Sequence, residues 1–359
     1  MSTDDQSIGD RLEELYGDMA DVHMQPLWTQ TADLMPRTPK SAAVPWLWRW
    51  STMRAIAERA GELVAVGRGG ERRAIALANP GLSGKPYASN TLWGAVQYLG
   101  PHESAPNHRH SPSAIRFVLE GDGVWTTVNG DACDMHPGDL VLTPSWSWHD
   151  HNNNTDQPMI WFDGLDLPAV IALDAVFFDP EPPADIQQVE GAHNKSTRVY
   201  GGRGLLPLDD VVTTPGQSPL WIYPWADTDA ALTNLLAERG GPMVSMRFVD
   251  PTTGRSAMQT IGCEMHRIVP GGPTIPVRRT GSAIYVVYRG TGHSIIDGQR
   301  FDWAPGDMFV VPSWAAAEHQ ANEPSDLFAV TDRPVLEALG LYQEERLTAP
   351  QEVTSRFTG

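Results

Sequence analysis

Ser113-Ala114-Ile115-Arg116-Phe117-Val118-Leu119-Glu120-Gly121-Asp122-Gly123 is echoed later in the chain by Ser282-Ala283-Ile284-Tyr285-Val286-Val287-Tyr288-Arg289-Gly290-Thr291-Gly292. A second block, Pro137-Gly138-Asp139-Leu140-Val141-Leu142-Thr143-Pro144-Ser145-Trp146, is echoed by Pro305-Gly306-Asp307-Met308-Phe309-Val310-Val311-Pro312-Ser313-Trp314. A one-residue gap aligns what lies between. Each block is a short apolar run bounded by Gly, Pro and Asp, the pattern of a strand held between tight turns. The chain therefore carries one β unit twice.

Around the first copy, further strands are expected at 91–99, 123–128 and 159–162, with turns at Asn129-Gly130 and Pro137-Gly138-Asp139. Short strands with frequent turns and no intervening helices predict an antiparallel sandwich or barrel. Ahead of it, 8–24 reads as an amphipathic helix with Leu12, Leu15, Tyr16 and Met19 on one stripe, and 53–66 as a second helix. The tryptophans of Trp46-Leu47-Trp48-Arg49-Trp50 are expected to pack an arm onto the body or a neighbouring subunit. Between the copies, 168–241 is proline-rich and reads as a connecting segment with a short helix at 228–238. These signals divide the chain into an arm (1–66), a first β domain (67–167), the connector (168–241), a second β domain (242–334) and a tail (335–359).

A formal net charge of −18 argues against nucleic acid and anionic membrane surfaces as partners, since both are bound by concentrated Lys and Arg. No apolar run is long enough to span a bilayer, and Cys133 and Cys263 are too few for a disulfide framework. A cytoplasmic protein is the expectation.

Chemistry concentrates in the first copy. Six of the eleven histidines fall between His102 and His151. Strand periodicity puts His108 and His110 on one face, and His149 would arrive from the strand after the Pro137-Gly138-Asp139 turn. In the second copy these positions are Val277, Arg279 and Ala317, whereas the turn residues persist. Residues required by the shared fold should survive in both copies, so these three histidines serve a site. Three imidazoles on one side of an ion leave positions open for substrate, the mark of a catalytic metal.

The two blocks resemble the cupin signatures. Gly138, Pro144, His149 and Asn153 follow the second motif with Trp146 in place of its glycine; His108-Arg109-His110 supplies the first, without its usual glutamate. Together with Asn79-Pro80-Gly81-Leu82, Trp148-His149-Asp150-His151 and Tyr223-Pro224-Trp225-Ala226-Asp227, nearly the whole chain is similar to the gentisate, salicylate and 1-hydroxy-2-naphthoate dioxygenases. That resemblance implies an all-β bicupin, two double-stranded β-helix (jelly-roll) barrels with an N-terminal helical arm. It implies Fe(II), one per chain, in the N-terminal cupin on His108, His110 and His149. The reaction implied inserts both atoms of O2 between the carboxyl- and hydroxyl-bearing carbons of a 2-hydroxybenzoate. Gentisate, giving maleylpyruvate, is the expected substrate; salicylate, a 5-substituted salicylate or 1-hydroxy-2-naphthoate are alternatives. The ligands alone also admit a non-redox cupin, either a binding protein or a Zn or Mn isomerase. The resemblance and the tryptophan-rich arm suggest a homotetramer.

Within this frame Arg116, a guanidinium in an otherwise apolar strand, is assigned to the substrate carboxylate. Arg72 and Arg68 lie where the family places further substrate-facing arginines. His151 is expected as an acid/base group or a structural hydrogen-bonding residue. Trp93, Ala95 and Gln97 form one pocket wall, and Asp163 is expected to orient a ligand histidine.

Overall fold

Alternation along Ala114–Glu120 sends Ile115 and Phe117 to one side of a sheet and Arg116 and Val118 to the other, and all four are buried. A strand covered on both faces needs apolar residues throughout, which is why the run reads as continuous rather than alternating. The computed structural model describes residues 3–64, 73–180, 187–202, 204–208 and 217–359. It separates into two units, Met1–Lys40 and Ser41–Gly359.

The larger unit is a bicupin built from four sheets. In the first barrel, one sheet runs Ile222–Tyr223, Leu140–Thr143, Ala114–Glu120, Met159–Leu165, Trp93–Leu99, Ala74–Ala76. The sheet facing it runs Phe178–Pro180, Ser104–His110, His149–Asn153, Val124–Val128, Asp131–Met135. The second barrel repeats this with Trp46–Trp48, Met308–Val311, Ala283–Arg289, Ser325–Thr331, Gly262–Ile268 and Met243–Arg247 in one sheet. Its other sheet holds Glu344–Arg346, Val277–Arg279, Ala317–Ala321, Gly292–Ile296, Gln299–Trp303 and Ser355–Arg356.

The barrels share a core. Ile115, Phe117, Leu140 and Phe162 from the first meet Ile284, Val286, Met308 and Phe328 from the second, with Phe117 stacked on Phe328 at 4.3 Å between ring centroids. The opposite faces of the same strands line separate interiors: Val118, Val141 and Trp161 in the first barrel, Tyr285, Val287 and Phe309 in the second.

The two halves are also cross-tied. Trp46–Trp48 pairs with Met308–Val311 of the second barrel, and Ile222–Tyr223 pairs with Leu140–Thr143 of the first. Each short strand ends where a helix begins, Trp50–Leu63 or Trp225–Arg239. At that junction the Trp225 amide donates to Asp139 Oδ1 at 2.7 Å, and the Trp50 amide donates to Asp307 Oδ1 at 2.8 Å. The neighbouring turn glycines, Gly138 and Gly306, have φ of 88° and 83°, and a Cβ on either would run into the Trp225 or Trp50 ring. The tryptophan stretch at 46–50 is thus integral to the second barrel, and part of the expected connector belongs to the first. Strands of two or three residues are too short for periodicity to reveal them. The segment 168–241, expected as a connector, also supplies the first barrel's edge strand Phe178–Pro180, paired with His108–His110.

In the unit Met1–Lys40, the helix Thr3–Asp21 is followed by the turn Leu27–Thr29 and the short helix Thr31–Leu34. Trp28 Nε1 donates to the Tyr16 hydroxyl at 3.1 Å, while Leu12, Leu15, Leu27 and Trp28 stay largely exposed. No helix among the described residues is long and apolar enough to cross a membrane.

Asp307→Ala would strand the part-buried amides of Trp50 and Ala304 and the Arg49 guanidinium that it now accepts from. The expected loss is about 1–3 kcal/mol of stability, read as a lowered midpoint in denaturant unfolding.

Candidate active site

His108 lies directly across from His149 in the antiparallel pair Ser104–His110 and His149–Asn153. With His110 two residues along, one ring nitrogen from each of the three histidines falls within 4.8 Å of the others. The other nitrogen of each ring is anchored to main chain. His108 Nδ1 sits 2.9 Å from Pro106 O, His110 Nδ1 2.7 Å from Pro112 O, and His149 Nδ1 3.0 Å from Ser147 O. A carbonyl oxygen can only accept, so each Nδ1 carries the proton and each Nε2 keeps its lone pair.

His149 is 1% exposed and its Nε2 has no hydrogen-bond partner. Burial, followed by the nearby His108, Arg116 and His110, holds its pKa well below the ordinary imidazole value. The set is therefore three imidazoles oriented around a common point, with His149 held neutral by burial, the donor chemistry that a divalent transition metal takes. With no carboxylate among the donors, the charge of such an ion would be left for anionic ligands.

The turn before His149 explains the departure at Trp146. Its φ is 67°, the left-handed region where glycine is ordinary, and Trp314 in the second barrel has the same value. In each, the amide of the tryptophan closes on the end of a strand in the other sheet, Trp146 to His110 O at 2.8 Å and Trp314 to Arg279 O at 2.7 Å. The Trp146 ring then stacks on the Arg109 guanidinium, which also lies over Trp148.

The facing sheet supplies the charge. Ala95, Asp163 and Arg116 stand in one row across three strands. Arg116 is 4% exposed; it donates to Thr143 Oγ1, and its Nε lies 3.6 Å from Asp163 Oδ1 without a hydrogen bond. Burial pushes the Asp163 carboxyl up to about 6, against the pull of Arg116 and of Trp161 Nε1, which donates to it at 2.9 Å. The same burial lowers the Arg116 pKa. Arg116 is thus close enough to disfavour charge on His149 and is incompletely paired.

Asp163 was expected to orient a ligand histidine. It instead sits opposite Arg116, one sheet away from the histidine strands, and main-chain carbonyls orient the ligands. Gln97 and Trp93 share the Ala95 strand, with Ala95 and Gln97 buried and Trp93 partly so. His151 is buried, and its Nδ1 lies 2.8 Å from Thr126 Oγ1. His319 makes the equivalent contact with Ser294 at 2.7 Å, so this hydrogen bond belongs to both barrels. Arg68 and Arg72 lie outside the described residues. Sequence reasoning passed over Thr143, which anchors Arg116, and Phe178, whose ring lies 5.5 Å from that of His108. Only strand pairing could have found them.

Comparison with known proteins agrees with this construction. The Cupin domain family matches residues 95–165, which carry the histidines. A gentisate 1,2-dioxygenase from Streptomyces sp is 50% identical over 96% of this chain and 98% of its own length. A 5-aminosalicylate 1,2-dioxygenase from Comamonas sp is 36% identical over 96% and 94%. The structure of a salicylate 1,2-dioxygenase from Pseudoaminobacter salicylatoxidans, in adduct with gentisate, superposes with a TM-score of 0.90 at 45% identity, covering 94% of each chain. With the three histidines in one barrel of a bicupin, and relatives this similar over almost the full length, the chain belongs to the gentisate and salicylate 1,2-dioxygenase family of ring-cleaving dioxygenases.

Proposed function

We propose that this chain is an Fe(II)-dependent gentisate 1,2-dioxygenase, cleaving the ring between its carboxyl- and ortho-hydroxyl-bearing carbons with both atoms of O2. The observation that carries the reading is the convergence of three Nε2 lone pairs beside the incompletely paired guanidinium of Arg116. Iron, one per chain on His108, His110 and His149, would supply Lewis acidity to the substrate hydroxyl and a redox route to O2.

The chain's own groups do the rest. Arg116 binds the substrate carboxylate, held in place by Thr143 and Asp163. Ala95 leaves room for the ring between Trp93 and Gln97, and Gln97 offers one polar contact to it. His151 holds or passes a proton for the substrate, its ring set by Thr126. Arg68 and Arg72 are assigned further contacts with the substrate. In this reading the barrel within 67–167 is catalytic, the barrel within 242–334 has lost the metal, and 1–66, 168–241 and 335–359 are the arm, the connector and the tail. The enzyme works in the cytoplasm as a homotetramer.

The preference for gentisate rests on the Streptomyces relative and on the gentisate adduct of the solved neighbour. The names of the Comamonas and Pseudoaminobacter proteins favour a second reading, salicylate or a 5-substituted salicylate through the same site.

Iron-loaded protein is expected to consume O2 with gentisate at a higher kcat/KM than with salicylate or 5-aminosalicylate. No uptake with any 2-hydroxybenzoate would sink the reading; a reversed order would select the second. His149→Ala is expected to lose bound iron and turnover together while its circular dichroism spectrum is unchanged. Arg116→Met is expected to retain iron yet lose about 10- to 150-fold in kcat/KM, the worth of a charge-assisted contact of about 1.5–3 kcal/mol.

A further inference from the structure

The second barrel holds a cavity where the first has its three histidines. An open cavity of ≈ 70 Å³ enters its interior, lined by Arg279, Tyr285, His266 and Thr331 among others. One ordered water needs roughly 10–15 Å³ measured this way, so the space would hold several waters or one small organic molecule.

The polar groups facing it are unspent. Arg279 occupies the position of His110, and its buried Nε makes no hydrogen bond. Its Nε lies 3.2 Å from Glu344 Oε2, but out of line for a hydrogen bond. His266 Nε2 and Thr331 Oγ1 are buried without hydrogen-bond partners. In the first barrel, orphaned atoms of this kind, Arg116 Nε and His149 Nε2, mark the site of the chemistry. Buried polar atoms left unpaired are costly, and a cluster of them around a guanidinium calls for a polar ligand with an acceptor.

Burial pushes both His266 and His319 down to about 3, so neither adds charge. Of the cations on the lining, Arg333 already donates to Glu337, which leaves Arg279, flanked by Glu344 and Glu264, as the one facing an acceptor. Val277 and Ala317, where the first barrel has His108 and His149, give the cavity an apolar wall. Inorganic anions gain nothing from such a wall; a hydrocarbon body does.

We propose that the interior of the second barrel is a binding site for a small monocarboxylate, up to the size of a single-ring aromatic acid, with Arg279 on its carboxylate and Tyr285 and Thr331 as further donors. The site is separate from the iron barrel and needs no metal.

Isothermal titration of benzoate, which has no ortho hydroxyl with which to chelate iron, tests this on the iron-loaded protein. The wild type is expected to bind one more benzoate per chain than Arg279→Met, with gentisate turnover at saturation equal in the two. Tyr285→Phe keeps the ring and removes one donor, and is expected to weaken that extra benzoate by about five- to thirtyfold while leaving the thermal midpoint near the wild type. Inorganic phosphate is expected to give no matching heat. Equal benzoate stoichiometry and affinity in wild type and Arg279→Met would overturn the proposal. Phosphate binding as tight as benzoate at this site would overturn the assignment to an organic acid. Neither outcome depends on which ring acid the first barrel cleaves.

Discussion

Two buried aspartates, one in each Pro-Gly-Asp turn, hold this molecule together. Asp139 accepts the amide of Trp225, and Asp307 accepts that of Trp50, so each barrel's turn is closed by chain arriving from outside its own repeat. Asp139 is buried enough that desolvation raises its pKa, offset by the amides it accepts from. A second pair repeats the exchange: Thr260 donates to Asp166 beside the first barrel, and Thr91 donates to Asp332 beside the second. Removing either half would leave buried acceptors without donors, so neither barrel is a self-sufficient piece.

That cross-tying has consequences for the three-histidine site. The sheet bearing Arg116 and Asp163 is fixed from behind by the shared core, with Phe117 against Phe328. The sheet bearing the histidines is not backed in this way; its ring orientations come from carbonyls within two residues of each ligand. One wall is positioned globally and the other locally, and the chemistry needs both. A substrate bridging the metal and Arg116 would span the gap between them, which makes their separation a property of the barrel rather than of any loop.

The two barrels also show how much one frame can vary. At equivalent positions the first carries His108, His110, His149 and Arg116, the second Val277, Arg279, Ala317 and Tyr285. The imidazole with its hydroxyl partner, His151 with Thr126 and His319 with Ser294, is common to both. Moving the interior cation from one sheet to the other changes what the cavity can hold, from a metal and a chelating anion to an acceptor alone.

Much of this was legible in the residues. Turn chemistry at Gly138 and Gly306 and the doubled β unit determined the architecture, because left-handed turns and strand periodicity are local properties. The contrast between copies determined the ligands, because a metal needs particular side chains whereas the barrel does not. What only the tertiary structure decided involves partners distant in the chain or segments too short to show a period. Trp46–Trp48 and Ile222–Tyr223 became strands of the opposite barrel because a sheet edge there lacked a partner, not because two or three residues prefer extension. Asp163 fell to Arg116 rather than to a histidine because antiparallel register set them side by side. Which nitrogen of each histidine faces the metal was likewise decided by folding, through three carbonyls whose reach depends on the bend of the chain around them.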